Sequence, residues 1–134
     1  MKRVVAVLIL LTVCVGFSMA GDDGDKAAIK KVISEAYVDG LQNGGDLEKT
    51  KAGFDPTFNL LIQGQDGNLK RYAIKDWIAK AAERKNQHPE GPKVKTTVKF
   101  TNIDVTGTAA VARIELYKAD RLIFTDYLSL YKFG

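Results

Sequence analysis

Apolar and polar residues alternate along the last third of the chain, from residue 95 to residue 133. Successive side chains of a strand point to opposite faces, so this alternation predicts strands, and the abundance of Val, Ile, Thr, Phe and Tyr supports the same assignment. We predict three strands at residues 95–105, 109–118 and 121–131, joined by tight turns. They would form an antiparallel meander with one apolar face.

The alternation also assigns a face to each side chain of these strands. The apolar row of the third strand contains one acidic residue, Asp126, which singles out that position. The opposite faces are mixed and amphipathic, as expected for a sheet covered on one side. The predicted apolar rows are Val94, Thr96, Val98, Phe100 and Asn102 on the first strand, Ala110, Ala112, Ile114 and Leu116 on the second, and Leu122, Phe124, Asp126, Leu128 and Leu130 on the third.

The first half of the chain has the apolar spacing of helices. Apolar residues recur every three or four positions over residues 26–43, which predicts an amphipathic helix with Tyr37 on its apolar stripe. Asp25 is its predicted N-cap, and Gly44 with Gly45 its C-terminal glycine cap.

Shorter elements follow this helix. We predict a short helix at residues 47–52, a hairpin of strands at 58–62 and 69–72, and a third helix at 74–85. Helices and antiparallel strands are thus segregated along the chain, which predicts an α+β fold with the helices packed on a curved, mostly antiparallel sheet.

Residues 1–20 are typical of a secretory signal peptide. Lys2 and Arg3 precede an apolar run that is too short for a comfortable bilayer span, and small residues precede Gly21, where cleavage is expected. The alternatives are an uncleaved membrane anchor or lipidation at Cys14, although Val13 is not the small residue expected before a lipidated cysteine. We expect a single domain at residues 21–134, periplasmic or secreted, with no stable membrane anchor.

Signal cleavage changes the charge and the available chemistry. It would remove Lys2, Arg3 and the one cysteine, so that the formal net charge falls from +4 to +2. No basic stripe interleaved with aromatic residues occurs, so nucleic acid is not an expected partner. His88 is the single histidine and lies in a Pro- and Gly-containing stretch, so we expect neither a metal site nor a catalytic triad, and no cofactor.

The order of elements resembles the cone-shaped nuclear transport factor two-like superfamily, which includes ketosteroid isomerases and polyketide cyclases. The resemblance is closest to its putative lumazine-binding branch and covers nearly all of residues 21–134. The stretches that carry it are residues 29–40 (IKKVISEAYVDG), 45–54, 69–78, 105–112 (VTGTAAVA) and 125–130 (TDYLSL).

The sequence departs from the family pattern at two places. Family members usually carry a histidine where this chain has Asp55, followed by Pro56. They also continue into a further strand after the position of Gly134. Either the chain is a truncated gene product or a fragment, or the sheet lacks its last strand, which would leave an exposed edge.

The isomerase relatives bring a tyrosine of the first helix together with carboxylic acids of the sheet. The resemblance therefore implies that Tyr37 and Asp126 meet inside the cone, where an apolar environment can tune an acid. The alternative is a core tyrosine beside an acid with a structural hydrogen bond. The other candidate ligand-binding residues, which could equally be core or turn residues, are Phe54, Asp55, Phe58, Trp77, Phe100 and Phe124.

Three functions remain open. The first is an exported protein that binds a small apolar or aromatic molecule without catalysis. The second is an isomerase- or cyclase-like enzyme that uses Tyr37 and Asp126. The third is an interaction module that forms a homodimer through the outer face of the sheet, where the candidate contact residues are Arg113, Glu115, Tyr117, Tyr127 and Tyr131.

Overall fold

The structure, a computed structural model, describes residues 22–134. The predicted signal peptide at residues 1–20 lies outside the described residues. The α+β order expected from the sequence is confirmed. The elements are α1 (Asp22–Val32), which continues as the π-helix π1 (Ile33–Gln42), α2 (Leu47–Gly53), β1 (Asn59–Gln63), β2 (Leu69–Ala73), α3 (Ile74–Gln87), β3 (Thr96–Thr106), β4 (Ala109–Lys118) and β5 (Arg121–Tyr131).

The described strands form two separate antiparallel sheets. β3, β4 and β5 lie in that order, and the hairpin β1–β2 stands apart from them. The helices cover one face of the large sheet, where Ile114 and Leu116 are fully buried in a core that also contains residues of the first helix and α3. This face forms the core and one wall of the candidate site.

Two bulges change the faces that strict alternation predicts. Between Phe100 and Asn102 the β3–β4 register skips Thr101, and between Leu122 and Phe124 the β4–β5 register skips Ile123. A bulge places two residues opposite one, so the inward and outward positions exchange beyond it. Asn102 is consequently exposed, although the alternation predicted an inward position for it. Ile123 packs against the core, although the alternation assigned the inward positions to its neighbours Leu122 and Phe124.

The first helix departs from α-helical geometry over Ile33–Gln42, where it becomes a π-helix. Thr50 of α2 donates a hydrogen bond of 2.8 Å to the backbone carbonyl of Ala36. The hydroxyl occupies the space beside Gly40, where a Cβ would overlap its oxygen. A side chain inserted beside the ladder of backbone hydrogen bonds is a known cause of local helix distortion.

The carboxyl end of the first helix is anchored to the large sheet. Gly44 has the left-handed φ of +71° expected of a C-terminal glycine. The Asn43 side chain donates to the carbonyl of Thr96 at 2.9 Å and accepts from its N–H at 2.8 Å. Arg84 donates to the carbonyl of Leu41 at 3.1 Å, which satisfies one of the free carbonyls at the helix end. The predicted N-cap Asp25 instead lies within α1 and forms an ion pair with Lys132 at 2.8 Å.

Candidate ligand-binding cavity

Tyr37 and Asp126 meet, as the resemblance implied. The Tyr37 hydroxyl of π1 donates a hydrogen bond of 2.6 Å to Oδ2 of Asp126 on β5. Tyr37 is 5% exposed, whereas Asp126 is partly buried. The pair thus joins the first helix to the edge strand of the large sheet.

Burial raises the pKa of the Tyr37 hydroxyl far above its ordinary value, and the nearby Asp126 carboxyl raises it further. Burial disfavours the phenolate because that form is charged, and an adjacent carboxylate disfavours it by repulsion. Tyr37 therefore remains a neutral hydrogen-bond donor at physiological pH.

Aromatic rings surround the polar pair. The Tyr37 ring contacts Trp77 edge to face, with centroids 5.5 Å apart, and Phe54 in the same manner at 6.3 Å. Phe54 in turn contacts Phe58 at 4.9 Å. Phe54 follows α2, Phe58 precedes β1, and Trp77 lies in α3. The packing of these three rings fixes the position of the Tyr37 hydroxyl.

A cavity of about 480 Å³ opens beside this cluster. Its walls are the aromatic residues on one side and the edge strand β5 on the other, with Asp126 exposed to the space. The remaining lining residues come from β1 and β5 and were not among the predicted ligand-binding residues: Asn59, Leu60, Leu61, Thr125, Tyr127, Leu128 and Ser129.

The cavity adjoins a groove of about 770 Å³ that runs along β5. The cavity and the groove share Phe54, Phe58, Leu128 and Ser129 as lining residues. The segment from Lys51 to Phe58 and the side chain of Phe133 also line the groove. The candidate site therefore continues from the cavity into the groove beside β5.

Five of the eight candidate residues line the cavity and three do not. Asp55 is exposed and accepts hydrogen bonds from the N–H and hydroxyl of Thr57, which lower its pKa, so it stabilises a turn and lies on the adjoining groove. Phe100 packs at the margin of the core, with the Lys30 ammonium 5.9 Å from its ring centroid. Phe124 is 56% exposed, because the bulge at Ile123 alters the alternation at that point. The five candidate residues that do line the cavity are Tyr37, Phe54, Phe58, Trp77 and Asp126.

The missed lining residues had only a weak signal in the sequence. Leu60 alternates with exposed neighbours in a strand, but nothing in residues 58–62 shows that this short hairpin faces β5 across a cavity. Among residues 22–134, no cluster of His, Cys, Asp and Glu is arranged to hold a metal ion. The same part of the chain contains no helix that is both long and apolar enough to cross a bilayer.

The family model described as putative lumazine-binding matches residues 24–134. The chain belongs to this family. The resemblance to its branch of the nuclear transport factor two-like superfamily is thereby confirmed. No match was found among curated proteins.

Two solved structures show that the fold of this putative lumazine-binding family member is the NTF2-like fold. An NTF2-like protein of unknown function from Shewanella baltica is 24% identical, with a TM-score of 0.65 over 84% of this chain and 86% of that chain. Another, from Silicibacter pomeroyi, is 18% identical, with a TM-score of 0.64 over 83% of this chain and 86% of that chain.

Proposed function

We propose that the protein is an exported binder of a small aromatic molecule that carries a hydrogen-bond donor. The observation that carries this proposal is the cavity of about 480 Å³ with aromatic walls and one polar pair. Small-molecule sites are typically apolar cavities of about 300–1,000 Å³ with few, well-placed polar groups. The site therefore combines the volume and the chemistry of a ligand pocket.

The polar pair specifies what the ligand must offer. Oδ2 of Asp126 accepts from Tyr37, and among the described residues nothing donates to Oδ1 of the same carboxyl. Asp126 also lines the cavity. A ligand N–H or O–H directed at Oδ1 would satisfy this acceptor, whereas a ligand without a donor would leave it unpaired.

Lumazine suits these requirements and supplies a first probe. The family carries its name, and lumazine is a planar bicyclic ring system with ring N–H donors. The flat ring would pack against Trp77 and Phe54, and an N–H would be directed at Asp126. Export is proposed from residues 1–20, and the location is the periplasm or the extracellular space.

Trp77 makes ligand entry directly measurable, because it is the one tryptophan of the chain and lines the cavity. We expect lumazine to quench its fluorescence in a saturable manner. Asp126→Asn keeps the shape of the side chain but replaces one acceptor by a donor, so we expect affinity to fall about tenfold. Phe124→Ala is the matched control, since Phe124 does not line the cavity, and its affinity should equal that of the unaltered protein.

Native mass spectrometry of protein exported by a bacterial host extends this test. A mass that begins at Gly21 supports signal cleavage, and extra mass that is lost on denaturation identifies a captured ligand. If neither lumazine nor any captured molecule binds, or if Asp126→Asn binds as tightly as the unaltered protein, the proposal is wrong.

The Tyr37–Asp126 hydrogen bond of 2.6 Å favours a second candidate, an isomerase- or cyclase-like enzyme. Asp126 would accept a proton from a carbon next to a ligand carbonyl and return it to another carbon, with Tyr37 as the neutral donor beside it. Asp126→Asn should then abolish turnover of an enolisable substrate while the circular dichroism spectrum is unchanged. Turnover that survives this substitution would exclude the role of Asp126.

A further inference from the structure

A pocket of about 250 Å³, the α1 pocket, is bounded by α1, by the turn that joins β3 to β4 and by the carboxyl end of β5. It shares no lining residue with the cavity beside Tyr37 and Asp126. None of its residues was a candidate ligand-binding residue in the sequence, and the proposed ligand function makes no use of it. The α1 pocket is therefore a separate space in the fold.

Short side chains leave this space open. Ala28 of α1 lines it, together with Gly107, Ala109 and Ala110 of the β3–β4 turn and the start of β4. Gly107 has a left-handed φ of +58°, a conformation that favours glycine, so the turn keeps a residue without a side chain at this point. Well-packed proteins leave few spaces larger than a water molecule between their elements. The α1 pocket exceeds that size because the side chains that meet there are short.

The walls of the α1 pocket are almost entirely apolar. Ile29, Val32 and Leu130 line it and pack against the core, and Val105 lines it as well. Water inside such walls finds few hydrogen-bond partners, whereas an apolar molecule removes their surface from water. In another protein, a cavity of about 150 Å³ lined by Leu, Ile and Phe binds benzene. The α1 pocket offers the same kind of environment.

The charged residues of the α1 pocket already satisfy each other. Asp25 and Lys132 are the charged side chains among its lining residues, and they form an ion pair at 2.8 Å. The backbone N–H of Lys132 donates to the carbonyl of Thr108 at 2.8 Å. A ligand in this pocket therefore needs no donor or acceptor, whereas Asp126 in the other cavity requires a donor. A charged ligand would have to compete with the ion pair.

The volume limits the size of the ligand. Sites for drug-sized molecules typically measure about 300–1,000 Å³, so the α1 pocket lies below that range. It is also too small for a protein segment with several side chains. The space fits one ring with a short substituent.

We propose that the α1 pocket binds a compact, uncharged apolar molecule of about one ring, such as an alkylbenzene. Contacts with the apolar side chains would supply dispersion energy, and burial of the ring would supply the hydrophobic contribution. This inference goes beyond the proposed ligand function, because it concerns different residues and a ligand without hydrogen-bonding groups.

The test titrates the protein with toluene, which is one ring in size and has no donor or acceptor. Alanine residues carry ¹³C-labelled methyl groups, so that Ala28, Ala109 and Ala110 report directly from the pocket walls. We expect their methyl resonances to shift in a saturable manner, with a dissociation constant below about 1 mM. The methyl group of Ala27, which does not line the pocket, is the internal control and should not shift.

Two substitutions fill the pocket from different elements. Ala28→Leu adds bulk from α1, where Ala28 is exposed and leucine is a good helix former, so the fold should tolerate it. Ala109→Ile adds bulk from β4, where a β-branched residue is favourable. We expect each to weaken toluene binding at least about tenfold. The matched controls are Ala27→Leu and Val111→Ile, which alter neighbouring positions outside the pocket and should bind toluene normally.

Three results would overturn the proposal: no saturable shift below about 1 mM, equal toluene affinity in the filling variants and their controls, or shifts confined to Trp77 and its neighbours in the other cavity. Nuclear Overhauser contacts from residues outside 22–134 to the Ala109 methyl group without toluene would overturn it too, because the chain itself would then fill the pocket. Loss of lumazine binding in Asp126→Asn with unchanged toluene binding would separate this proposal from the ligand function.

Discussion

The Tyr37 hydroxyl is held by one carboxyl oxygen and packed between two aromatic rings. This arrangement holds the Tyr37 side chain in one position at the cavity wall. Removal of the hydroxyl would leave Oδ2 of Asp126 without its partner in a partly buried site, which costs more than the hydrogen bond itself contributes to stability. The pair therefore contributes both to stability and to the shape of the site.

Tyr37→Phe should lower the free energy of unfolding at pH 7 by about 1–2 kcal/mol. The pKa of Tyr37 is raised in the folded protein, so its protonated form is favoured there. Its contribution to stability is complete below the unfolded pKa of about 10 and decreases as pH rises from there towards the folded pKa.

Urea unfolding between pH 7 and pH 11.5 measures this effect. Lysines also titrate in that range, so the informative quantity is the difference between the unaltered protein and Tyr37→Phe. The difference should shrink above pH 10. A difference that stays constant with pH would show that the hydroxyl is not coupled to folding in this way.

The π-helix is an element that two parts of the chain make together. Gly40 leaves room for the Thr50 hydroxyl, and Thr50 supplies a hydrogen bond to the Ala36 carbonyl. Thr50 is fully buried, so its hydroxyl has no access to water as an alternative partner. The contact joins α2 to the first helix at the turn that carries Tyr37.

Gly40→Ala should destabilise the protein by about 1–3 kcal/mol, because the added methyl group overlaps the Thr50 oxygen in a packed site. Alanine is otherwise the better helix former, so an isolated helix would gain from the same substitution. Thermal unfolding monitored by circular dichroism measures the difference.

The double variant Gly40→Ala/Thr50→Ala tests whether the overlap is the cause. It should be less destabilised than the sum of the two single variants, because the oxygen that the methyl group meets is absent. Gly24→Ala is a control at a helical glycine with open space around it and should be neutral or slightly stabilising. Additive effects at Gly40 and Thr50 would contradict this explanation.

Sequence patterns predicted the elements well and the details of two strands badly. The periodicity of residues 26–43 identified the helix and its apolar stripe, because burial of one face requires that spacing. It could not identify the π-helix, which coincides with a hydrogen bond from Thr50 of a later element to the Ala36 carbonyl. The bulges at Thr101 and Ile123 were equally hidden, since an extra residue in one strand is defined only by the strand it pairs with.

The candidate site could be predicted only in part, because sequence patterns describe one element at a time. Tyr37 and Asp126 stood out as polar groups in apolar rows, a pattern that depends on one element at a time. Phe124 was assigned to the inner face by an alternation that the bulge at Ile123 interrupts. Leu60 and Leu61 line the cavity because the hairpin faces β5, which is a property of the tertiary structure.

At the scale of the whole molecule, the outer face of the large sheet is rich in exposed aromatic residues. Tyr127 is 72% exposed and Tyr131 is 68% exposed. Beside them Arg113, Glu115 and Tyr117 form a hydrogen-bonded cluster, in which the Tyr117 hydroxyl donates to Glu115 at 2.6 Å. A polar network beside exposed aromatic residues resembles the composition of protein interfaces.

We expect this outer face to form a homodimer. Tyr127→Ser should raise the dissociation constant of the dimer at least about tenfold, because large aromatic residues dominate the affinity of interfaces. Sedimentation velocity over a range of concentrations measures the constant. Leu69→Ser, which removes an exposed apolar residue on the separate hairpin, is the control and should leave it unchanged. A protein that is monomeric at every concentration would contradict this expectation.

The two residues that make the polar end of the cavity are 89 positions apart in the chain. During folding, the first helix and α2 can meet early, because their contact through Thr50 and Ala36 spans only 14 positions. A contact between Tyr37 and Asp126 must await the closure of a much longer loop, which costs more chain entropy and slows folding. The helical wall can therefore assemble first, and the cavity forms only when β5, the last of the described strands, takes its place.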